Sequence, residues 1–344
     1  MQGQRTPGNR PQHSPVFSTP TKRALITGIS GQDGGYLAKH LLSLGYAVSG
    51  TSRDCSVIRS DALRGLGVLD QVQLASMVGD DFRSVLQTVM RSRPDEIYHL
   101  AGQTSVGLSY EQPVEAINSI ALGTLNLLEA IKLCDWPIRL YNAGSSECFG
   151  DTSGEAATEE TPFKPRSPYA VAKVCAHNLV SNYRDAYGLF ACTGILFNHE
   201  SPLRPERFVT QKIIRAACRI AAGDTRPLLL GNLDIHRDWG WAEEYVDVMW
   251  RMMQRDTPDD YVIATGQTVS LAYFVEQAFA WFGLDWRKYV TSDRALIRPS
   301  DIRFGTADPS RAERELNWRA QVKVDEVIHR MCAAAQISLK GNTV

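Results

Sequence analysis

Tyr169 and Lys173 stand four residues apart, just after Ser167-Pro168, in a stretch with helical spacing. That interval puts both side chains on one helix face. A phenol has a reference pKa near ~10 and needs help to act as a base near neutrality. A nearby ammonium and a positively charged nicotinamide would lower it, and Lys173 could also hydrogen-bond a nicotinamide ribose. Ser145 lies in Tyr141-Asn142-Ala143-Gly144-Ser145-Ser146-Glu147, after a candidate strand. A hydroxyl at the C-terminal end of a parallel strand lies at the ligand crevice. Ser145, Tyr169 and Lys173 therefore read as a hydride-transfer set. Glu147 adds a carboxylate able to remove a proton from a carbon next to a ketone. A Tyr-x-x-x-Lys interval alone also fits the surface of any amphipathic helix.

A dinucleotide would sit against Gly28-Ile29-Ser30-Gly31-Gln32-Asp33-Gly34, spaced G-x-x-G-x-x-G between a first strand and a first helix. Glycines there allow a tight turn, close approach of a pyrophosphate and close helix–strand packing. The helix start offers free N–H groups and a positive dipole end. Arg53 follows the second strand and suits an adenosine 2′-phosphate; Asp54 beside it would suit the ribose hydroxyls, so the pair leaves NADP and NAD both open. Asp80 and Asp81 are candidates to accept from the adenine amino group, or are loop acids.

The elements that must position these groups alternate. Strand candidates are Ala24–Thr27, Tyr46–Gly50, Glu96–Leu100, Arg139–Ala143, Gly194–Asn198 and Tyr261–Thr265. Helical patterns lie between them, notably Ala116–Leu133 and Tyr169–Tyr187, and Gly45 is placed to close the first helix. The fold class is α/β: a Rossmann-type, doubly wound parallel sheet with a smaller, mostly helical C-terminal substrate-binding domain. The stretch 54–76 is hard to read. Residues 1–20, rich in Pro, Gln, Ser and Thr, read as a disordered tail. Residues 21–198 read as the dinucleotide-binding unit, with a returning segment at about 234–265; residues 199–233 and 266–340 read as the substrate unit.

Composition narrows the function. The 344 residues carry 37 Lys+Arg and 38 Asp+Glu, a net charge of −1. Balanced charge argues against gripping nucleic acid or a membrane through bulk basicity, yet leaves small anions open. No run approaches the ~18 apolar residues of a membrane span. Seven scattered cysteines without a C-x-x-C make a poor disulfide framework and suit a cytoplasmic protein. No metal-ligand spacing is apparent.

The glycine turn, the strand-end serine and Y-x-x-x-K resemble the extended short-chain dehydrogenases/reductases, and more closely the GDP-mannose 4,6-dehydratases among them. The stretches that carry this are Thr27–Gly34, Ser145-Ser146-Glu147 and Thr161–Tyr169, with Gly194–Pro202 and Arg237-Asp238-Trp239-Gly240. The last two are the most specific, and the likeness runs from about Arg23 to Ile337. It implies catalysis by Ser145, Glu147, Tyr169 and Lys173. Cofactor contacts are implied for Leu100, Ala101, Gly102, Gln103 and Thr104, and for His199 and Arg204. Thr104, Ser145, Ser146, Glu147, Asn198, Lys212, Arg237, Arg298 and Asp301 would hold the GDP-sugar.

The implied reaction has three stages. Tyr169 takes the C4 hydroxyl proton as C4 is oxidised by NADP or NAD. Glu147 then removes the C5 proton and protonates the departing C6 hydroxyl. Hydride returns to C6 and C5 is reprotonated, so no external reductant is consumed. Some residues depart from the pattern. Ser145 stands where the family usually has Thr, Asp301 where it has Glu, Pro205 where Gly is common, and Glu115 near a frequent Tyr. Arg53-Asp54-Cys55-Ser56 replaces two arginines and a serine-rich loop that, in tetrameric members, reaches a neighbouring subunit. A homodimer and a homotetramer both fit. Another GDP-hexose or a GDP-heptose stays open as substrate. A C4 epimerase or reductase is the second reading, disfavoured by Glu147, and a non-catalytic dinucleotide sensor is the third.

Overall fold

Strands β1 (Arg23–Thr27), β4 (Glu96–His99) and β5 (Arg139–Ala143) send successive side chains to opposite sides. Leu25, Ile97 and Leu140 pack into one apolar layer; Ile26, Tyr98 and Tyr141 pack into another. A period of two with both sets apolar is what a sheet covered on both faces requires. The computed structural model describes residues 21–58, 60–297 and 300–341 and has this sheet at its centre. The stretch read as a tail, 1–20, and Arg298 lie outside the described residues.

The sheet is completed by β2 (Ala47–Ser52), β3 (Val72–Ser76), β6 (Ala191–Leu196) and β10 (Tyr261–Ile263). All seven strands are parallel, in the order β3-β2-β1-β4-β5-β6-β10. Helices Gln32–Ser43 and Ala242–Met253 cover one face through Leu37, Leu41, Val246 and Met249. Helices Phe82–Ser92, Gly123–Lys132 and Pro168–Tyr187 cover the other through Val89, Leu127 and Val180. This is the doubly wound α/β architecture expected. β3 falls in the stretch that resisted reading. Gly45, at φ +83°, ends the first helix as expected.

Pro113–Lys132 forms a continuous helical run of 20 residues, apolar enough by length and composition to cross a membrane. This corrects the expectation that no such run exists. Leu127, Leu128 and Ile131 of this run lie in the layer against the sheet, so burial in the core accounts for its composition.

The chain changes direction across the sheet between β1 and β4, and there the strand ends diverge into a crevice. Thr27 closes its floor. Its fully buried hydroxyl accepts from the Leu100 and Ala101 backbone N–H groups, both at 3.2 Å. Its own proton then goes to His99 Nδ1 at 2.8 Å. Burial, aided by the Lys173 charge, brings the His99 pKa down to about 3, so the ring is neutral and can accept.

β6 leaves the large sheet at Leu196, and after Phe197 the chain enters β7 (Asn198–Glu200). β7 pairs with β9 (His236–Trp241), which pairs with β11 (Thr268–Ser270). A second small sheet joins β8 (Leu228–Leu230) to β12 (Val290–Ser292). Around them, helices Val209–Ala221, Leu271–Trp281 and Val324–Gly341 bury Ile213, Phe274, Phe279 and Ile328. The second unit thus has its own apolar centre and overhangs the C-terminal edge of the large sheet.

Thr27→Val keeps the shape and removes the hydroxyl from three partners. Unmet buried polar groups cost about 1–3 kcal/mol each, and Leu100 N–H retains the Thr27 carbonyl, so the expected loss is about 2–3 kcal/mol. Equilibrium urea denaturation measures it. A loss under about 0.5 kcal/mol, as for an inert surface change, would remove Thr27 from this role.

Candidate active site

The first wall of the cleft is the glycine turn. Gly28 has φ +75°, and a Cβ there would meet Ala101 Cα at 3.0 Å. A Cβ on Gly34 would meet the Gly28 carbonyl at 2.5 Å, so the helix packs against the strand only because no side chain intervenes. Gly31 caps the helix without a side-chain hydrogen bond, leaving its first N–H groups open to a ligand. Ile29 is fully buried beneath Gly50, so at that position only the backbone faces the cleft. A pyrophosphate fits this cradle.

Asp33 is the one side chain of the turn that lines the cleft. His199 donates from Nε2 to Asp33 Oδ2 at 3.0 Å and from Nδ1 to the Phe197 carbonyl at 2.9 Å. Gln32 donates to Asp33 and to the His199 carbonyl, and accepts from the Ser201 hydroxyl. Both imidazole nitrogens face acceptors, which favours an imidazolium. Burial opposes both charges. Mutual attraction outweighs it, raising the His199 pKa and bringing Asp33 down to about 2. This ion pair fastens the first helix to β7.

The second wall is the end of β5. Gly144 N–H bonds the Gly194 carbonyl at 2.8 Å, extending the ladder by one residue, and a Cβ there would strike Thr193. The chain then turns into the short helical segment Ser146–Phe149. Ser145 caps that turn by accepting from the Glu147 N–H at 3.3 Å. Ser145, Ser146 and Glu147 all line the cleft. The Glu147 carboxylate has no hydrogen-bond or ion-pair partner among the described residues.

Helix Pro168–Tyr187 starts where Ser167 accepts from the Ala170 N–H at 3.1 Å, with Pro168 pre-set for the first turn. Tyr169 and Lys173 therefore face the cleft one turn apart. Lys173 donates to the Ala143 carbonyl at 2.7 Å, and burial brings its pKa down to about 8. Burial pushes the Tyr169 phenol above its ordinary value; the nearby Ser145 hydroxyl opposes this, while the Glu147 charge reinforces it. The Lys173 ammonium, 5.8 Å from the Tyr169 ring centre, does not overcome that rise. The net shift thus runs opposite to the one a nearby ammonium implies.

The remaining candidates divide. Leu100 and Thr104 line the cleft, whereas the Gln103 side chain folds back on Ser105. Asn198, Arg204, Lys212, Arg237 and Asp301 line it from the second unit. Lys212 reaches the Leu229 carbonyl, and Arg237 the His236 and Ile302 carbonyls. Arg53 points away into solvent and pairs with Glu115 at 3.2 Å. Asp54 is turned onto Ser56. Asp80 is exposed, and Asp81 is taken up as a helix cap, accepting from the Arg83 N–H. Sequence reasoning passed over Glu200, Arg207 and Phe208, which also line the cleft. The run Leu203-Arg204-Pro205-Glu206-Arg207-Phe208, two arginines beside an aromatic, was the available signal.

Asp33 has an ordinary value of 3.8 and falls to about 2 when folded, so its contribution is complete above pH ~4 and lost towards pH 2. The raised His199 contributes fully below 6.5, and its share is lost as pH climbs through the folded value. The stability gap between the native protein and Asp33→Asn should therefore peak between about pH 4 and 6.5 and narrow on both sides. Denaturation series across pH check this, and a gap independent of pH would contradict the ion pair.

Residues 25–331 match the family model described as GDP-mannose 4,6 dehydratase. A GDP-mannose 4,6 dehydratase of Arabidopsis thaliana is 42% identical over 333 residues, covering 93% of this chain and 88% of that protein. Among solved structures, a UDP-glucose 4-epimerase of Thermotoga maritima with UDP-glucose has a TM-score of 0.82 at 20% identity, covering 92% of this chain and 99% of that one. A dTDP-glucose 4,6-dehydratase double mutant of Streptomyces venezuelae, with NAD bound, has a TM-score of 0.81 at 20% identity, covering 91% and 96%. These two share the fold with different chemistries, so fold alone does not choose between them. The family match spans the glycine turn, the segments holding Ser145–Glu147 and Tyr169–Lys173, and the second unit, and the chain belongs to the GDP-mannose 4,6-dehydratase family.

Proposed function

We propose that this chain converts GDP-mannose to GDP-4-keto-6-deoxymannose, as a hydro-lyase. The observation that carries the reading is Glu147: a carboxylate with no partner among the described residues, on the same cleft wall as Ser145 and facing Tyr169 and Lys173, in a chain of this family. A C4 epimerase or reductase, which only moves a hydride at C4, has no use for a carboxylate that removes a carbon-bound proton.

A nicotinamide dinucleotide fits the glycine cradle and would supply the hydride acceptor and donor. Gly28, Gly31 and Gly34 admit its pyrophosphate. NADP is favoured over NAD, because the Asp54 carboxylate is occupied by the Ser56 N–H and hydroxyl at 2.8 and 2.6 Å. Arg53 can leave Glu115 for a 2′-phosphate, since an exposed ion pair holds it by only about 0–1 kcal/mol. The seven free thiols suit a reducing compartment, and we place the reaction in the cytoplasm.

The chain's own groups would work as follows. Ser145 hydrogen-bonds the substrate C4 oxygen and Tyr169 takes its proton. The phenol needs a positive charge beside it, because burial alone keeps it protonated. Lys173, fixed by the Ala143 carbonyl, would orient the ribose and hold a positive charge beside the phenolate. Glu147 removes the C5 proton and passes it to the departing C6 hydroxyl. Asn198, Lys212, Arg237, Arg298 and Asp301 would hold the nucleotide and sugar.

Glu147→Gln should bind NADP and GDP-mannose with unchanged affinity. It should release no dehydrated product by mass spectrometry and incorporate no deuterium at C5 in heavy water. Turnover equal to the native protein would overturn the assignment. Product from another GDP-hexose or a GDP-heptose, with none from GDP-mannose, would keep the mechanism and change the substrate.

A further inference from the structure

Three positive side chains of the second unit meet at the mouth of the cleft. Arg204 and Arg207 both lie against the Phe208 ring, 3.8 and 5.1 Å from its centre, and Lys212 follows one turn later. Their charges are not equally balanced. Glu200, fully buried and held by the Thr210 hydroxyl at 2.7 Å, is 3.4 Å from Arg204 Nε. Glu206 is turned to Arg215. Arg207 has no carboxylate within ion-pair distance among the described residues. Its contact is with a neutral group: Nη2 donates to the Thr104 hydroxyl at 3.2 Å.

That contact spans the cleft. Thr104 belongs to the loop that follows β4, which Thr27 ties to the large sheet, and Arg207 belongs to the second unit. Burial and the Arg204 charge both press the Arg207 pKa down, as they do for a guanidinium held near a like charge. A cation in that setting gains most from an anion arriving between the walls, and a guanidinium fits phosphoryl oxygens in a bidentate manner.

We propose that Arg207 is a phosphate-binding residue of the cleft, exchanging its Thr104 contact for a phosphoryl oxygen of the bound diphosphate. The chemistry is that of a nucleoside diphosphate, and either the sugar nucleotide or the dinucleotide could present it. The inference rests on the reading of the cleft as a site for both.

Arg207→Gln and Arg207→Lys test it by calorimetry with three probes: GDP, guanosine and NADP. Loss of a charge-assisted pair should weaken GDP roughly 10–100-fold in Arg207→Gln and leave guanosine unchanged. Arg207→Lys, a point charge without the fork, should recover part of that loss. If NADP weakens and GDP does not, the phosphoryl group is the dinucleotide's, and the assignment of Arg207 stands. Binding of all three probes within about twofold of the native protein would overturn it. Failure of the native protein to bind either GDP or NADP would instead overturn the reading of the cleft. Arg207 is exposed, so an unchanged melting temperature confirms that each variant is folded.

Discussion

The hydroxyl of Thr27 sets the floor on which both ligand-facing walls stand. A threonine hydroxyl has one proton to give and two lone pairs. Here all three are used: two backbone N–H groups from the loop after β4, and the neutral His99 ring. The loop is thereby held beside Gly28, close enough that any Cβ at position 28 would press on Ala101. The crevice between diverging β1 and β4 is a general property of this sheet order. Its width in this chain is fixed by one buried hydroxyl and one missing side chain.

Around that crevice the charges are arranged in compensated pairs, with a few left over. Asp33 and His199 neutralise each other, as do Glu200 and Arg204. Among the described residues Lys173 bonds a carbonyl and pairs with no carboxylate. A buried ammonium without a carboxylate is costly, and its pKa falls accordingly. Burial moves the phenol beside it the other way, so both side chains are pushed towards their neutral forms.

The sequence spoke most clearly where burial is two-sided or spacing is helical. β1, β4 and β5 read as strands because both of their faces are apolar. Helix Pro168–Tyr187 declared itself through Ser167, Pro168 and its length. β3 did not, because Val72-Gln73-Leu74-Ala75-Ser76 lies at the sheet edge with Gln73 and Ser76 exposed, so its apolar pattern is thin. The three-residue strands β7, β8, β11 and β12 are too short to carry any period. In the site, the turn, Ser145, Tyr169 and Lys173 were legible because their spacing is local. The Asp33–His199 pair was not, since its partners are 166 residues apart and only the β6–β7 switch brings them together. Arg207 was lost among the other arginines, because charge balance is a spatial property.

Ser145 stands at the end of β5, in the cleft that Glu147 and Tyr169 also line. As a helix cap its oxygen accepts from the Glu147 backbone, which fixes the turn that aims the carboxylate. The same hydroxyl lines the cleft with the Tyr169 phenol and opposes its rise in pKa. Removing it would disturb the turn that carries the carboxylate, whereas a threonine would keep the bond and add a methyl. The position demands a hydroxyl for geometric reasons before any contact with the substrate is counted. The aim of the Glu147 carboxylate is accordingly a property of the folded chain.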